Sequence, residues 1–235
     1  MTNAKLLEKL YGIAEMLPPQ GKERFELCRK GSGTIKTYEQ FADSLAVRLA
    51  SLVIDVETDL KLEAAKSSGK LDRYKACSRI LKRAMSDSRE ALHGAWIASG
   101  MQCICDSYVL VRLKDHLDLE KLPDCFVAVN VERIVPKDKN LGGSVLDLPS
   151  IEELRGYIKI EKARLKSLKD ESGVTWDFGK DLPSVNAQFL LDVLEIFPDA
   201  VAVASKTRPL LGAIYFSSSD GDCILLPVRK AEVKK

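Results

Sequence analysis

Five basic side chains lie within residues 71–86 of the 235-residue chain. The apolar residues of this stretch recur at helical spacing, which predicts an amphipathic helix with a separate basic face. A basic face of this kind binds phosphate groups through charge alone, without reading bases. An ordinary solvated helix face is the alternative interpretation. The basic residues are Arg73, Lys75, Arg79, Lys82 and Arg83.

A second basic stripe occurs in a helix predicted at about residues 150–170. Glutamates nearby balance part of its charge, so it is either a phosphate-binding face or a solvated face opposite a packed one. Its apolar stripe could also hold a partner helix or a second copy of the chain. The basic residues are Lys159, Lys162, Lys166 and Lys169.

The sequence gives little support for a metal site. Cys103 and Cys105 are predicted on one strand, and with Cys77 or His93 they could ligate zinc. Structural zinc needs four ligands, and no second pair with ligand spacing is present. We therefore interpret these cysteines as buried strand residues and expect no metal.

Catalytic chemistry has equally little support. His93 and His116 are the only histidines, and no nucleophile or carboxylate pattern accompanies them. Glycine-rich phosphate loops of the nucleotide-binding types are absent. We predict a protein that is not an enzyme and has no cofactor.

Composition favours a globular intracellular protein. Hydrophobic residues make up 46% of the chain, which is enough for a core, and the net charge of +2 is nearly balanced. Any contact with nucleic acid must therefore come from local patches. The six cysteines show no disulfide spacing, and neither a secretory signal nor a membrane span is evident. We expect a soluble cytoplasmic protein with no membrane partner.

Helices and strands alternate in a regular order along the chain. Apolar spacing and capping residues predict the helices, and short apolar runs between turn residues predict the strands. Asn186 is the predicted cap of the last helix, and Ser150 with Glu153 caps the helix before it. Helices are predicted at 4–16, 38–66, 71–86, 150–169 and 187–197. Strands are predicted at 91–99, 101–105, 108–113, 125–131, 174–178, 200–205, 212–217 and 223–229.

The same order of elements occurs twice within residues 70–235: one helix followed by three short strands. A helix on a single meander cannot bury its own apolar face, so two such units must share a core. We therefore predict an α+β domain with two helix-plus-meander halves, its helices on one face of an antiparallel sheet. Residues 1–69 form a separate helical region, and the helix at about 150–170 is an insertion between the halves.

The second half resembles the last domain of the bacterial DNA polymerase III beta subunit, the sliding clamp. Clamps carry a helix of the pattern N-x-x-[YF]-[LV]-L-D-x-L and a final strand of the pattern [ML]-P-[VIM]-R. This chain has NAQFLLDVL at 186–194 and LPVR at 226–229. The first half is similar to a clamp unit at its turn, with Asp106, Ser107, Tyr108 and Leu110. Order and spacing are most like clamp-like proteins encoded by phages and prophages.

This resemblance implies a DNA-clamp-like domain acting in DNA replication or another DNA transaction. Clamp helices line a channel that faces DNA, which implies double-stranded DNA as a partner of the five basic residues in 71–86. The final clamp strand borders a groove that takes peptides from polymerases, which implies a polymerase-type or other replication partner. Here that strand corresponds to Leu226, Pro227, Val228 and Arg229.

The alternative is a protein-interaction or assembly module that uses the clamp fold without encircling DNA. The predicted companion helix 187–197 carries Asp192 and Glu195 but no basic residue after its cap, so a channel would be basic on one side only. A clamp chain holds three domains, whereas this chain has room for one. A ring would then be a homo-oligomer of about six copies, whereas a monomer or dimer favours the module.

Overall fold

The computed structural model describes residues 3–17, 19–29, 45–135, 143–168 and 173–229. The chain divides into two compact units, Met1–Leu71 and Asp72–Lys235. Within the described residues, no helix is both long enough and apolar enough to cross a membrane.

The first unit is helical. Leu10, Phe25 and Val53 pack together in its core, because each apolar stripe needs a neighbour to cover it. The helix predicted at 38–66 is confirmed from residue 45 onward, and its predicted start lies outside the described residues. The second helix was missed, because its sequence is mostly polar and has a weak apolar stripe. The helices of its described residues are α1 (Asn3–Glu15), α2 (Pro19–Arg29) and α3 (Leu45–Ser67).

The second unit has three α-helices among its described residues. The predicted caps are confirmed: the Asn186 side chain accepts hydrogen bonds from the backbone N–H groups of Gln188 and Phe189, and Ser150 Oγ accepts one from Glu153 N–H. These bonds satisfy donors that have no partner inside the helix. The helices are α4 (Leu71–Ala84, whose first residue belongs to the other unit), α5 (Ile151–Leu168) and α6 (Ala187–Ile196).

Seven strands form one antiparallel sheet in the order β1-β2-β3-β9-β8-β7-β4, and β5 with β6 forms a separate hairpin. The α+β class and the antiparallel sheet predicted from the sequence are therefore confirmed. The strands are β1 (Trp96–Ala98), β2 (Met101–Cys105), β3 (Val109–Leu113), β4 (Val145–Leu146), β5 (Thr175–Asp177), β6 (Ser184–Asn186), β7 (Val201–Val203), β8 (Ile214–Ser218) and β9 (Gly221–Leu225).

The strand order places the two predicted meanders next to each other. The first meander is β1-β2-β3 and the second is β7-β8-β9, and they meet where β3 pairs with β9. The third strand of each meander, β3 or β9, therefore lies at the boundary between the two halves. The short strand β4 extends the second half beyond β7. Beyond β1 the described residues have no strand, but a single parallel bridge joins Ala95 to Lys121.

The two faces of the sheet are covered differently. On the outer face, Cys103, Leu110 and Ile224 belong to a cluster that packs against Ala128 and Val129 of the segment after β3. On the inner face, Val111 aligns with Cys223, and α6 contacts β9 there. Successive side chains of a strand point to opposite faces of the sheet. The helices therefore cover the inner face, and the segment after β3 covers the outer face.

Two strand predictions, 91–99 and 223–229, were wrong in part, and the one at 125–131 was wrong. Only Trp96–Ala98 of 91–99 is a strand, and residues Glu90–Leu92 form a 3-10 helix. No strand forms at 125–131: the apolar residues there pack on the outer face as an irregular segment that ends in a 3-10 helix at Val131–Arg133.

The last predicted strand, 223–229, ends at Leu225. Pro227 follows two residues later and cannot donate a hydrogen bond to a neighbouring strand. Because β9 pairs with both β3 and β8, it is an interior strand, so the proline follows a central strand and marks no sheet edge. A two-residue turn, 219–220, joins β8 to β9, because Ser218 pairs with Gly221. A Cβ at Gly221 would lie 2.0 Å from the Arg112 carbonyl oxygen, so only glycine fits there.

Candidate functional site

Two arginines of the basic α4 face bind acidic residues of the same domain. Arg79 Nε donates to Asp192 Oδ1 at 2.7 Å, and its Nη2 pairs with Glu195. Arg83 donates to Asp192 Oδ2 and to Asp106 Oδ2, at 2.6 Å in each case. The Asp192 side chain has no solvent-exposed surface. The charges of both arginines are therefore largely balanced before any DNA arrives.

Helix α6 is enclosed because α5 packs beside it. Arg155 of α5 donates to Glu195 Oε1 at 2.7 Å, which is the carboxylate oxygen that Arg79 does not bind. Glu195 is thus held between basic side chains of two helices. Burial alone would lower the pKa of Arg79, but the Asp192 carboxylate raises it above the usual value, so Arg79 stays charged.

Arg73 also binds within the domain. Its Nε donates to the carbonyl oxygen of Ile196 at 2.9 Å, at the end of α6, and its Nη2 pairs with Asp220 in the turn before β9. A cation at this place satisfies a carbonyl that the helix leaves free and complements the helix dipole. Arg73 therefore fastens α4 to the second half of the domain.

Lys75 and Lys82 are the two predicted DNA-binding residues that remain exposed on α4. No ion pair involves either of them within the described part of the chain. The five-residue set predicted from the sequence therefore separates into three arginines used by the fold and two exposed lysines. Three of the lysines predicted on α5, Lys159, Lys162 and Lys166, are exposed as well, while Lys169 lies outside the described residues.

A stacked group of side chains lies where α4, α6 and the β2–β3 turn meet. The Arg83 guanidinium carbon is 4.4 Å from the centre of the Phe189 ring, and that ring is 5.6 Å from the ring of Tyr108. Arg83 Nη2 is buried and has no hydrogen-bond partner among the described residues. The ring beneath it supplies the favourable contact instead.

An apolar groove opens at this end of the sheet, on the outer face. Its volume is about 230 Å³. Tyr108 and Leu226 are partly exposed at the groove, with 56% and 41% of their surface accessible. Exposed apolar side chains around a concavity mark an interaction surface more often than isolated ones do. The apolar lining residues include Tyr108, Leu110, Val129, Ile134, Ile224 and Leu226.

Two backbone donors of the stretch predicted to face a peptide, 226–229, are already in use. Leu226 N–H donates to the Tyr108 carbonyl oxygen at 2.9 Å, and Val228 N–H donates to that of Ser184 at 2.8 Å. Pro227 has no N–H. A peptide therefore cannot pair with these donors as an added strand, and the contribution of this stretch to the groove is the Leu226 side chain.

The histidines contact backbone carbonyl oxygens of the same domain, and two buried cysteines are held in the thiol form. His93 Nε2 lies 2.8 Å from the Asp87 carbonyl oxygen, and His116 Nε2 lies 3.3 Å from that of Gly100. Burial raises the pKa of the Cys77 thiol to about 12 and that of Cys103 to about 11, which keeps both in the unreactive thiol form at neutral pH. No cluster able to hold a metal ion occurs among the residues that the structure describes.

Sequence reasoning missed most of the groove. Val129 and Ile134 were placed in or beside a strand that does not form, so their position at the groove was not foreseen. Tyr108 and Leu110 belong to the turn stretch used for the family resemblance, which was a signal that could have pointed to them.

Comparison of the chain with protein-family models, with curated proteins and with solved structures finds no match in any of the three.

Proposed function

We propose that residues 72–229 form a sliding-clamp-type domain of the phage and prophage kind, and that it acts as a protein-interaction module. It would dock an apolar peptide segment of a partner, of the polymerase or replication class, in the groove beside Leu226. The observation that carries the proposal is a convergence of two distant stretches. Tyr108 and Leu110 of the first half and Leu226 of the second, both from stretches that resemble clamps, line one apolar groove.

The arrangement of the sheet supports the clamp-type assignment. Two meanders joined through β3 and β9, with a helix before each, are what two clamp half-units would give. Strand β4 comes before α6 in the chain and pairs with β7, where a clamp unit has the strand that precedes its helix. Helix α5 and the β5–β6 hairpin are then an insertion between that strand and its helix.

The contacts within the helix layer favour a protein-interaction module and disfavour a channel that encloses DNA. In the clamp pattern the paired helices face DNA, but α6 is enclosed by α5 and its acidic groups bind Arg79, Arg83 and Arg155. Exposing α6 to DNA would uncover carboxylates and apolar surface, both of which disfavour phosphate binding. The groove needs no such rearrangement.

Peptide selection on the full chain tests the docking proposal. We expect a displayed library of random short peptides to yield sequences with apolar anchors, which are then titrated by fluorescence anisotropy. Leu226→Asp should weaken their binding by about tenfold or more, since it places a charge in a desolvated pocket. Leu211→Asp is the matched control, because Leu211 is 60% exposed and does not line the groove.

Two results would refute groove docking. One is a library that yields no saturable binder. The other is a selected peptide whose affinity falls equally with Leu226→Asp and Leu211→Asp, because that peptide would bind elsewhere. Circular dichroism of both variants verifies that each remains folded.

DNA binding is the second candidate, favoured by the exposed lysines that α4 and α5 present on either side of α6. A DNA contact here would use Lys75 and Lys82 together with lysines of α5, in place of Arg79 and Arg83. Each phosphate neutralised contributes a slope of about −0.9 in log affinity against log salt on duplex DNA. Removing two contacts with Lys75→Gln and Lys82→Gln should therefore reduce the slope by about 2.

Anisotropy titrations of a labelled duplex over a series of salt concentrations measure that slope. Lys180→Gln with Lys206→Gln is the control pair, because both lysines are exposed and lie outside α4 and α5. Absence of binding at low salt would reject this candidate. Light scattering with and without DNA tells a ring of about six copies from a monomer or dimer.

A further inference from the structure

A second cavity lies between β1 and the segment that follows β3, and it shares no lining residue with the groove. Its volume is about 520 Å³, which is in the range of sites for small organic molecules. The lining combines apolar and aromatic walls with two charged side chains of opposite sign. Among the lining residues are Trp96, Leu117, Lys121, Leu122, Asp124 and Phe126.

The frame of this cavity is fixed by hydrogen bonds. Ala95 N–H donates to the Glu120 carbonyl oxygen at 2.7 Å, and the Ala95 carbonyl oxygen accepts from Leu122 N–H at 2.9 Å. The buried Gln102 side chain donates to the carbonyl oxygen of Leu117 at 2.9 Å and accepts from its N–H at 2.8 Å. A ligand would therefore enter a preformed site and pay little to order it.

The charged groups at the cavity are not used by the fold. Lys121 and Asp124 are exposed, and neither makes a hydrogen bond or ion pair through its side chain within the described residues. Their neighbours Trp96 and Phe126 offer apolar surface in the same cavity. One unpaired cation, one unpaired anion and an apolar wall together match a molecule that carries both charges and an apolar body.

We propose that this cavity binds a small zwitterion with an apolar side chain, of the chemical class of a free apolar α-amino acid. The Lys121 ammonium attracts the ligand carboxylate, and the Asp124 carboxylate attracts the ligand ammonium. The apolar side chain of the ligand packs against Trp96 and Phe126. This site is separate from the peptide groove and from the DNA-binding lysines, so the proposal does not depend on either of those functions.

Titration of the full chain with phenylalanine, leucine and three truncated analogues tests the proposal, with isothermal calorimetry and proton–nitrogen NMR spectra as readouts. We expect saturable shifts at the Trp96 indole and the Gln102 side-chain amide. Phenylpropionate lacks the ammonium, phenylethylamine lacks the carboxylate, and glycine lacks the apolar body. Each analogue should bind at least about tenfold more weakly than phenylalanine, because each lacks one of the groups that the cavity recognises.

Two variants make the assignment specific to residues. Lys121→Gln and Asp124→Asn should each weaken phenylalanine binding by about tenfold, whereas Lys180→Gln and Asp147→Asn, also exposed but outside the cavity, should leave it unchanged. Both lining residues are exposed, so folding is preserved. Absence of saturable shifts at millimolar ligand overturns the proposal, as does equal binding of phenylalanine and the analogues that lack one charge.

Discussion

Helices α4 and α6 occupy equivalent places in the two halves of the domain, but their surroundings differ. Six of the fourteen residues of α4 are buried, and Asp72, Lys75 and Lys82 are exposed. Eight of the ten residues of α6 are buried, including Asp192 and Glu195. One helix therefore has a solvent face, whereas the other is part of the core.

The insertion accounts for this difference. Helix α5 lies beside α6 and buries Leu154 and Ile158 in doing so. The carboxylates of α6 are then out of reach of water, and arginines from α4 and α5 supply the positive charge that buried carboxylates require. Acidic residues that look like surface charge in the sequence thus hold the helix layer together.

Removing the central carboxylate is the strongest test of this comparison. Asp192→Ala leaves Arg79 and Arg83 without a shared partner in a partly buried place, which should cost roughly 4 kcal/mol of unfolding free energy. Urea unfolding followed by circular dichroism measures it. Asp181→Ala, at an exposed position, should change stability by less than about 0.5 kcal/mol. A similar small effect at Asp192 would show that the ion pairs are not needed.

The packing of α5 against α6 is tested by shortening a buried side chain of α5. Leu154 is fully buried, so Leu154→Ala should lower the free energy of unfolding by about 3 kcal/mol through lost burial and a cavity. Ile160 on the same helix is 68% exposed, and Ile160→Ala should have almost no effect. If the two variants were equally stable, α5 would not be packed on α6.

Local patterns predicted much of this fold. The Asn186 cap, the bounds of α5 and the meander strands all follow from neighbouring residues, since capping and alternation act over a few positions. The two-residue strand β4 could not be found this way. It is too short to show alternation, and its pairing with β7 is a tertiary contact.

The chemistry of the helix layer was harder to predict because its contacts join distant positions. Arg79 and Asp192 are 113 residues apart, and the helical stripe of α4 does not tell a solvated arginine from a paired one. The acidic residues were noticed in the sequence as an argument against DNA, but their burial was not foreseen. Their position depends on α5, whose packing partner cannot be read from its own stripe.

A smaller effect is expected at the outer ion pair of the layer. Arg155 is half exposed, and Glu195 keeps its second partner Arg79 when Arg155 is removed. Arg155→Ala should therefore cost about 1 kcal/mol. A double-mutant cycle with Glu195→Gln measures the pair directly, and a coupling as large as the effect of Asp192→Ala would contradict the ranking of inner over outer contacts.

The smallest effect concerns the turns at the ends of the two meanders. In the first half, Asp106 is buried and accepts hydrogen bonds from the N–H groups of Tyr108 and Val109. In the second half, Asp199 is exposed and accepts hydrogen bonds from the side chain of Ser218 and from Ser219. The Ser218 hydroxyl is the main cause that lowers the pKa of Asp199 from its usual 3.8 to about 2.

This lowered pKa makes the second turn sensitive to acid. The folded protein favours charged Asp199, so its contribution is complete above the unfolded pKa of 3.8 and is lost as the pH falls towards 2. Urea midpoints of the wild type and of Asp199→Asn should therefore differ at pH 5 and converge near pH 2. Parallel curves across this window would mean that the Asp199 charge contributes nothing. The exposed turn would then be held by the β8–β9 pairing, the Arg73–Asp220 contact and the hydrogen bonds from Lys114 to the carbonyl oxygens of Ser219 and Asp220.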